Sequence, residues 1–388
     1  MDQKSNGYVE DINALRCFAM LGVMLVHCGI FPFGAWGVWL FFVISGFAIT
    51  RSLISDKSQC ADNSLVMKNF FIKRALRILP LYIAYLLMIS AYCALTGRPG
   101  FWSALPYLMT FTYNIAMSFG SDVISAPGVS HLWSISGEEQ FYIAFPFLFV
   151  LLRRRHFVYC MAAILVLSPV FRAVLASGLD WYPQDITTIA RRVKFFTPAH
   201  FDSFAAGSLI ALATSGREVT GRQGYLALGV GIAALVLYLG VYAIIQSQVI
   251  GQLNLDAFRN LLSGEIAGNN REVFSYTAVW LASAGVIIAV LARLPIVTIF
   301  CRPRIFHHMG KISYGGYVYH GLVIEILTNF VPGINQGGFF DRFSYFVILL
   351  VLSMAAAWAS YRWLERPFLK LKPTYRRDSA ALERNAAG

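Results

Sequence analysis

The apolar segment LRCFAMLGVMLVH, residues 15–27, carries two side chains that are costly in lipid, Arg16 and His27. They stand eleven residues apart, which on a helix is about 16 Å and about three turns, so both lie on one helix face. An imidazole can act as a general base or a nucleophile, and a guanidinium group binds phosphate oxygens. The shared helix face favours a function for both residues. An arginine at a helix end can also snorkel, and a lone histidine can be a core residue.

A pair of acids enters a second apolar segment, HLWSISGEEQFYIAFP, residues 131–146. Glu139 lies eight residues into it, roughly 12 Å from its outer end. A carboxylate at such a depth either has a function or pairs with a buried cation. Because a neighbouring carboxylate raises the basicity of an imidazole, we predict that Glu139 supports His27 in general-base catalysis.

Two arginines in FFIKRALRILP, residues 70–80, are three positions apart. Arg74 and Arg77 therefore share a helix face that ends at Pro80. Two interpretations stay open. The pair either anchors the inner end of a membrane helix or clamps a phosphorylated ligand, since guanidinium groups bind phosphate in a bidentate manner.

Further polar residues lie in two later apolar segments, with Asp202 in HFDSFAAG and with Tyr317 and His320 in ISYGGYVYHGLVIEI. They are candidates for contacting an acceptor or supporting the catalytic groups, although Asp202 could instead cap a helix start. The histidines lack the spacing of metal ligands, and no Gly-x-Ser-x-Gly elbow is present. We therefore expect neither a metal site nor a serine nucleophile.

The elements that hold these residues are predicted from composition and hydropathy. The chain has 388 residues, of which 57% are apolar and only 13% charged, which is typical of polytopic membrane proteins. About ten segments are long and apolar enough to be spans. They are residues 12–30, 35–55, 79–96, 131–152, 156–177, 198–214, 224–246, 272–293, 312–331 and 342–362. The predicted fold is an all-α membrane helix bundle.

Most lysines and arginines fall in loops on the side of the N-terminus, which explains the net charge of +12 and favours both termini inside the cell. Segment 101–118 is predicted to be re-entrant or interfacial, because a further span there would place the RRR run at 153–155 outside. We expect one transmembrane domain over residues 1–370 and a disordered cytoplasmic tail over 371–388. The first apolar segment is interpreted as a retained span, and no disulfide is expected.

These segments, in order, resemble the acyltransferase-3 family of bacterial membrane acyltransferases. The resemblance covers residues 11–368 and departs from the family's usual pattern at Gly137, before the glutamate pair. Arg16 with His27 matches an arginine–ten residues–histidine pattern, and FIKRALRILP resembles an Arg-x-x-Arg-x-x-Pro segment. The remaining matches are GVWLFFVISGF, HLWSISGEEQFYIAFP, FDSFAAG, ISYGGYVYH and YRWLERPF.

The resemblance implies an O-acyltransferase, usually an O-acetyltransferase, of the bacterial inner membrane that lacks a C-terminal esterase-like domain. The acyl group would pass from cytoplasmic acyl-CoA to a hydroxyl of an extracytoplasmic or lipid-linked glycan, such as an O-antigen or exopolysaccharide. Acyl-CoA would be a substrate at Arg16, Arg74 and Arg77, with no tightly bound cofactor and no nucleic-acid partner. Direct transfer and an acyl-His27 intermediate stay open, as do acyl chain length and oligomeric state. A small hydrophobic acceptor is the alternative, and a transporter is disfavoured because the chain has no paired halves.

Overall fold

The computed structural model describes residues 3–120, 126–177, 186–250, 268–331, 333–334 and 337–373. Within these ranges the chain is helical and contains no strand, which confirms the predicted all-α class. The predicted disordered tail lies almost entirely outside the described residues, which end at position 373. All six cysteines are free, as their placement in the sequence indicates.

Each of the ten predicted spans falls on a helix. These are α1 (Gln3–His27), α2 (Gly37–Gln59), α3 (Asn63–Thr96), α6 (Trp133–Leu151), α7 (Arg154–Ser177), α9 (Phe201–Thr214), α10 (Gly221–Ile250), α11 (Arg271–Leu291), α14 (Ser313–Phe330) and α15 (Phe339–Ser360). Among the described residues, six helical stretches are long and apolar enough to cross a membrane, so the protein is a multi-pass membrane protein. The full count of ten and the inside position of both termini stay predictions.

Shorter helices connect the long ones. They are α4 (Gly100–Met109), α5 (Tyr113–Ser118), α8 (Ile186–Phe195), α12 (Pro295–Cys301), α13 (Arg304–Lys311) and α16 (Arg366–Leu369). Segment 101–118 forms α4 and α5, which are separated at Phe111 by a backbone turn of positive φ. With 10 and 6 residues, neither helix is long enough to cross a bilayer.

Helices α2 and α9 cross at a distance that only glycine allows. A Cβ atom on Gly46 would lie 2.1 Å from the carbonyl oxygen of Phe204, and one on Gly207 would lie 2.0 Å from that of Val43. Small residues are the usual means of close helix approach in lipid. The crossing also stacks the rings of Phe42 and Phe204 with centroids 4.6 Å apart, so it fixes the helix that carries Trp39 and Ser45.

Candidate active site

A first cavity of about 100 Å³, here called the arginine cavity, brings together the three arginines that the sequence analysis selected. Arg16 reaches it from α1, and Arg74 and Arg77 reach it from α3. Two of the three are held by their neighbours. Arg16 donates to Asn13 Oδ1 at 3.3 Å, and the Arg74 guanidinium lies 5.3 Å from the ring centroid of Tyr142. Aromatic faces attract such cations, so the positive charges are oriented before a ligand binds.

The acid that lines this cavity is Glu138, the residue before the Glu139 that the sequence analysis selected. Glu138 lines the arginine cavity and accepts hydrogen bonds from Ser45 Oγ at 2.9 Å and Tyr142 Oη at 3.4 Å. Glu139 lies about 100° further around α6, and its Oε1 is buried without a hydrogen-bond partner among the described residues. Which of two consecutive glutamates faces the cavity depends on how α6 is rotated about its own axis. Tertiary packing sets that rotation.

A second cavity of about 320 Å³, here called the histidine cavity, contains His27. The His27 side chain is exposed, so a molecule in the cavity can reach its ring. Trp39 and Trp133 line the same cavity, and Lys194 adds a positive charge. Glu139 is not part of its lining. The predicted support of His27 by Glu139 stays a prediction.

His27 instead belongs to a group of three histidines. Its ring centroid lies 5.2 Å from that of His320, which lies 4.5 Å from that of His131. His320 Nδ1 bonds the carbonyl of Tyr317, and because a carbonyl only accepts, this nitrogen carries the proton. His320 Nε2 is consequently an acceptor, and it is buried without a partner among the described residues. The structure thus supplies His27 with a neighbouring ring rather than a carboxylate.

His131 was not selected from the sequence, although it opens the HLWS segment. It is buried, and its Nε2 donates to the carbonyl of Val318 at 3.0 Å. The sequence feature that could have identified His131 is its position at the start of the segment that carries the glutamate pair. Its partner lies 187 positions away in the chain, so spacing alone did not indicate the contact.

The two cavities share Val38 and Tyr317 in their linings. Tyr317 Oη lies 2.7 Å from Ser134 Oγ and donates to the carbonyl of His131 at 3.0 Å. The side chain of Tyr317 is therefore held by α6 and by the short turn before it. One thin wall, fixed by hydrogen bonds, separates the arginines from His27.

A family model described as an acyltransferase domain matches residues 9–362, which is nearly the whole chain. The chain belongs to the acyltransferase-3 family. This finding confirms the resemblance inferred from the motifs, and both cavities lie within the matched region.

Named relatives agree with the family. One is O-acetyltransferase OatA of Staphylococcus aureus (strain NCTC 8325 / PS 47), with 24% identity over 94% of this chain and 57% of that protein. Another is a Staphylococcus aureus (strain COL) protein provisionally named as an O-acetyltransferase, with 24% identity over 95% of this chain and 58% of that protein. The chain thus spans less than two thirds of the length of these relatives. No solved structure matches the chain significantly.

Asp202 lies in a buried ion pair. Its Oδ2 accepts from Arg172 Nη1 at 2.8 Å, and both side chains are fully buried. Arg172 also donates to the carbonyls of Ala199 and Val273 and to Thr277 Oγ1, so it ties α7 to α9 and α11. Neither Arg172 nor Asp202 lines the two cavities. The pair thus connects three helices, and a role of Asp202 in acceptor contact or in support of the catalytic groups stays a prediction.

Within the described ranges, no group of three or more His, Cys, Asp or Glu side chains is arranged to hold a metal ion.

Proposed function

We propose that the protein is a membrane O-acyltransferase, and more specifically an O-acetyltransferase, of the bacterial inner membrane. It would move an acyl group from cytoplasmic acyl-CoA to a hydroxyl of an extracytoplasmic or lipid-linked glycan. One observation carries the proposal: a cavity with three arginines adjoins a cavity with an exposed histidine, and α1 contributes to both. Family membership supports acyl transfer as the reaction class.

The arginine cavity suits the donor. Acyl-CoA carries several phosphates, and three guanidinium groups facing one Glu138 carboxylate leave an excess of positive charge there. A volume of about 100 Å³ is too small for the nucleotide. The phosphates would therefore lie at the arginines, and the slender acyl-bearing arm would extend past Val38 and Tyr317.

His27 suits the transfer step. In the direct route, the imidazole takes the proton of the acceptor hydroxyl while its oxygen attacks the thioester carbonyl carbon. The carbon–sulfur bond then breaks, and the leaving thiolate takes up the proton from the imidazolium. In the covalent route, a ring nitrogen attacks the thioester carbonyl carbon and expels the thiolate. The acceptor hydroxyl then attacks the acyl carbon, the carbon–nitrogen bond breaks, and the hydroxyl proton passes to the thiolate. Both routes need a histidine that donor and acceptor can reach from different sides.

Replacement of His27 tests this function. His27→Ala should abolish transfer of radiolabelled acetyl groups from acetyl-CoA to membrane or envelope glycans while leaving insertion and thermal unfolding in detergent unchanged. His156→Ala, at an exposed histidine of α7, is the matched control and should keep full activity. A well-folded His27→Ala enzyme with full activity would contradict the proposal.

The donor site has a separate test. Arg74→Gln and Arg77→Gln should each raise the apparent KM for acetyl-CoA by roughly tenfold or more, since each removes a charge-assisted contact to phosphate. Arg222→Gln removes an exposed arginine at the start of α10 and should leave KM unchanged. If all three variants share one KM, these arginines do not bind the donor.

A further inference from the structure

Three oxygen atoms meet in the wall between the arginine cavity and the histidine cavity. Ser134 Oγ and Tyr317 Oη lie 2.7 Å apart. The carbonyl oxygen of His131 lies 3.1 Å from Ser134 Oγ and 3.0 Å from Tyr317 Oη. Each hydroxyl carries one proton to donate, and the carbonyl carries none. Two protons therefore serve three contacts.

The third contact lets one hydroxyl turn away while the buried carbonyl stays paired. When Ser134 donates to the carbonyl of His131, the proton of Tyr317 is available for another partner. A buried carbonyl that loses its donor is costly, and this exchange avoids that cost. The wall thus contains a hydroxyl that can donate to a bound molecule without leaving an acceptor unsatisfied.

Tyr317 differs in this respect from the other hydroxyls around the arginine cavity. In the described part of the chain, those outside the Ser134–Tyr317 pair donate to partners of their own: Ser45 and Tyr142 to Glu138, Ser313 to the carbonyl of Gly310, and Tyr314 to that of Ile78. Tyr317 also belongs to the lining of the histidine cavity, so it stands between the arginines and His27.

Both routes of acyl transfer create a negative charge in this region. When the acceptor oxygen or a ring nitrogen of His27 attacks the thioester carbonyl carbon, an electron pair of the C=O bond moves onto the oxygen. The resulting alkoxide lasts until that pair forms the double bond again and the carbon–sulfur bond breaks. A hydrogen-bond donor already aimed at this oxygen lowers the barrier of the step.

We propose that the hydroxyl of Tyr317 donates a hydrogen bond to the thioester oxygen as it becomes an alkoxide. Tyr317 is then a catalytic residue that keeps its proton, and Ser134 is a positioning residue that keeps the carbonyl of His131 paired. The proposal rests on the function proposed above and adds a stabilising group to it. It holds for direct transfer and for the acyl-His27 route alike.

The test measures kcat and KM for acetyl-CoA from the release of CoA by the full chain in native membrane vesicles, which supply the glycans. Tyr317→Phe keeps the ring and should lower kcat about a hundredfold or more with little change in KM. Tyr319→Phe, at a buried tyrosine of the same helix that lines neither cavity, is the control and should keep the wild-type kcat. Thermal unfolding in detergent verifies folding, and a Tyr317→Phe enzyme with wild-type kcat would overturn the proposal.

A second donor substrate separates hydrogen bonding from packing. In the dithioester analogue of acetyl-CoA, sulfur replaces the carbonyl oxygen and accepts hydrogen bonds weakly. The loss of kcat in Tyr317→Phe should shrink to less than about tenfold with this analogue. Equal losses on both donors would show that the ring only packs, which overturns the proposal.

Ser134→Ala gives the same comparison with the hydroxyl of Tyr317 in place. Its kcat for acetyl-CoA should fall several-fold, and this loss should also shrink with the dithioester. In the Tyr317→Phe background, Ser134→Ala should have little further effect on kcat, since there is no longer a catalytic hydroxyl to support. Additive losses would contradict the positioning role of Ser134.

His27→Ala is measured beside each variant. CoA release that does not require His27 would refute the proposed function itself. Release that requires His27 and is unaffected by Tyr317→Phe would refute only the assignment of Tyr317.

Discussion

The imidazole of His320 packs beside that of His27, with ring centroids 5.2 Å apart, and keeps one ring nitrogen buried without a partner among the described residues. That nitrogen is Nε2, because Nδ1 donates to the carbonyl of Tyr317. A histidine that shuttles protons needs its second nitrogen oriented, a task that carboxylates often perform. Here the nearest such group is another imidazole, so His320 is assigned as the positioning residue for His27.

We expect His320→Phe to lower kcat at least about tenfold, because His27 loses the imidazole packed beside it and the acceptor nitrogen that this ring offers for orienting it. The KM for acetyl-CoA should not change, since the proposed donor site is the arginine cavity. His320→Gln keeps an acceptor atom and should restore part of the activity with a shifted pH profile. Equal losses in the Phe and Gln variants, with an unshifted profile, would indicate that His320 only fills space.

The buried pair of Arg172 and Asp202 should be essential for stability. Arg172→Met leaves a buried carboxylate without its cation, which costs roughly 3–5 kcal/mol of unfolding free energy. The partly exposed pair of Arg98 and Glu325, whose atoms are 3.6 Å apart, provides the control. Glu325→Gln should cost about 0–1 kcal/mol. Thermal unfolding in detergent measures both, and similar melting temperatures for the two variants would contradict the structural role of Arg172.

The close crossing of α2 and α9 predicts that a side chain at Gly46 lowers the stability of the protein. A methyl group on Gly46 would collide with backbone carbonyl oxygen, so Gly46→Ala should cost about 1–3 kcal/mol. Gly240 lies in α10, where an added Cβ would meet no atom within 4 Å, and Gly240→Ala should be neutral or slightly stabilising. Thermal unfolding in detergent measures the difference in stability between the two variants. A Gly46→Ala protein as stable as Gly240→Ala would show that the helices can move apart at little cost.

Donor binding should depend on pH through Lys372, which follows α16 at the end of the described chain. Burial, together with the positive charges of Arg77, Arg74 and Lys73, lowers the pKa of Lys372 to about 8. Lys372 is therefore about nine tenths charged at pH 7 and about one tenth charged at pH 9. Because an anionic donor favours the protonated lysine, its affinity should be full below pH 8 and decline above it.

The measurement is the apparent KM for acetyl-CoA between pH 7 and pH 9, which should rise several-fold in the wild-type enzyme. Lys372→Arg stays charged throughout this range and should flatten the profile. Lys372→Met should show the high KM already at pH 7. If the Arg variant keeps the wild-type slope, another group is responsible for the pH dependence.

The sequence was sufficient for the helices and for part of the site. Hydropathy located a helix at each predicted span, and the spacing of Arg74 and Arg77 correctly placed them on one face with access to Arg16. The helix predictions succeeded because they depend on local periodicity, which lipid enforces strongly. His27, Tyr317 and His320 were selected one at a time, and their rings lie side by side in the structure.

What the sequence did not indicate depends on contacts between distant segments. Arg172 and Asp202 stand 30 positions apart, and their spacing does not indicate that the arginine is buried and neutralises the carboxylate. The choice between Glu138 and Glu139 required the rotation of α6 against α2, which one hydrogen bond from Ser45 reveals. The pattern of residues in a single sequence does not determine the rotation of α6 against α2.

The position of Tyr317 in the linings of both cavities has a consequence for the membrane potential of the cell. If the two cavities open to opposite sides, a continuous file of water between them would let protons pass and dissipate the membrane potential. Tyr317, held by Ser134 and by the carbonyl of His131, interrupts that path with a hydroxyl whose hydrogen bonds are made within the protein. An acyl group could then cross much of the bilayer through the enzyme while the membrane stays electrically sealed.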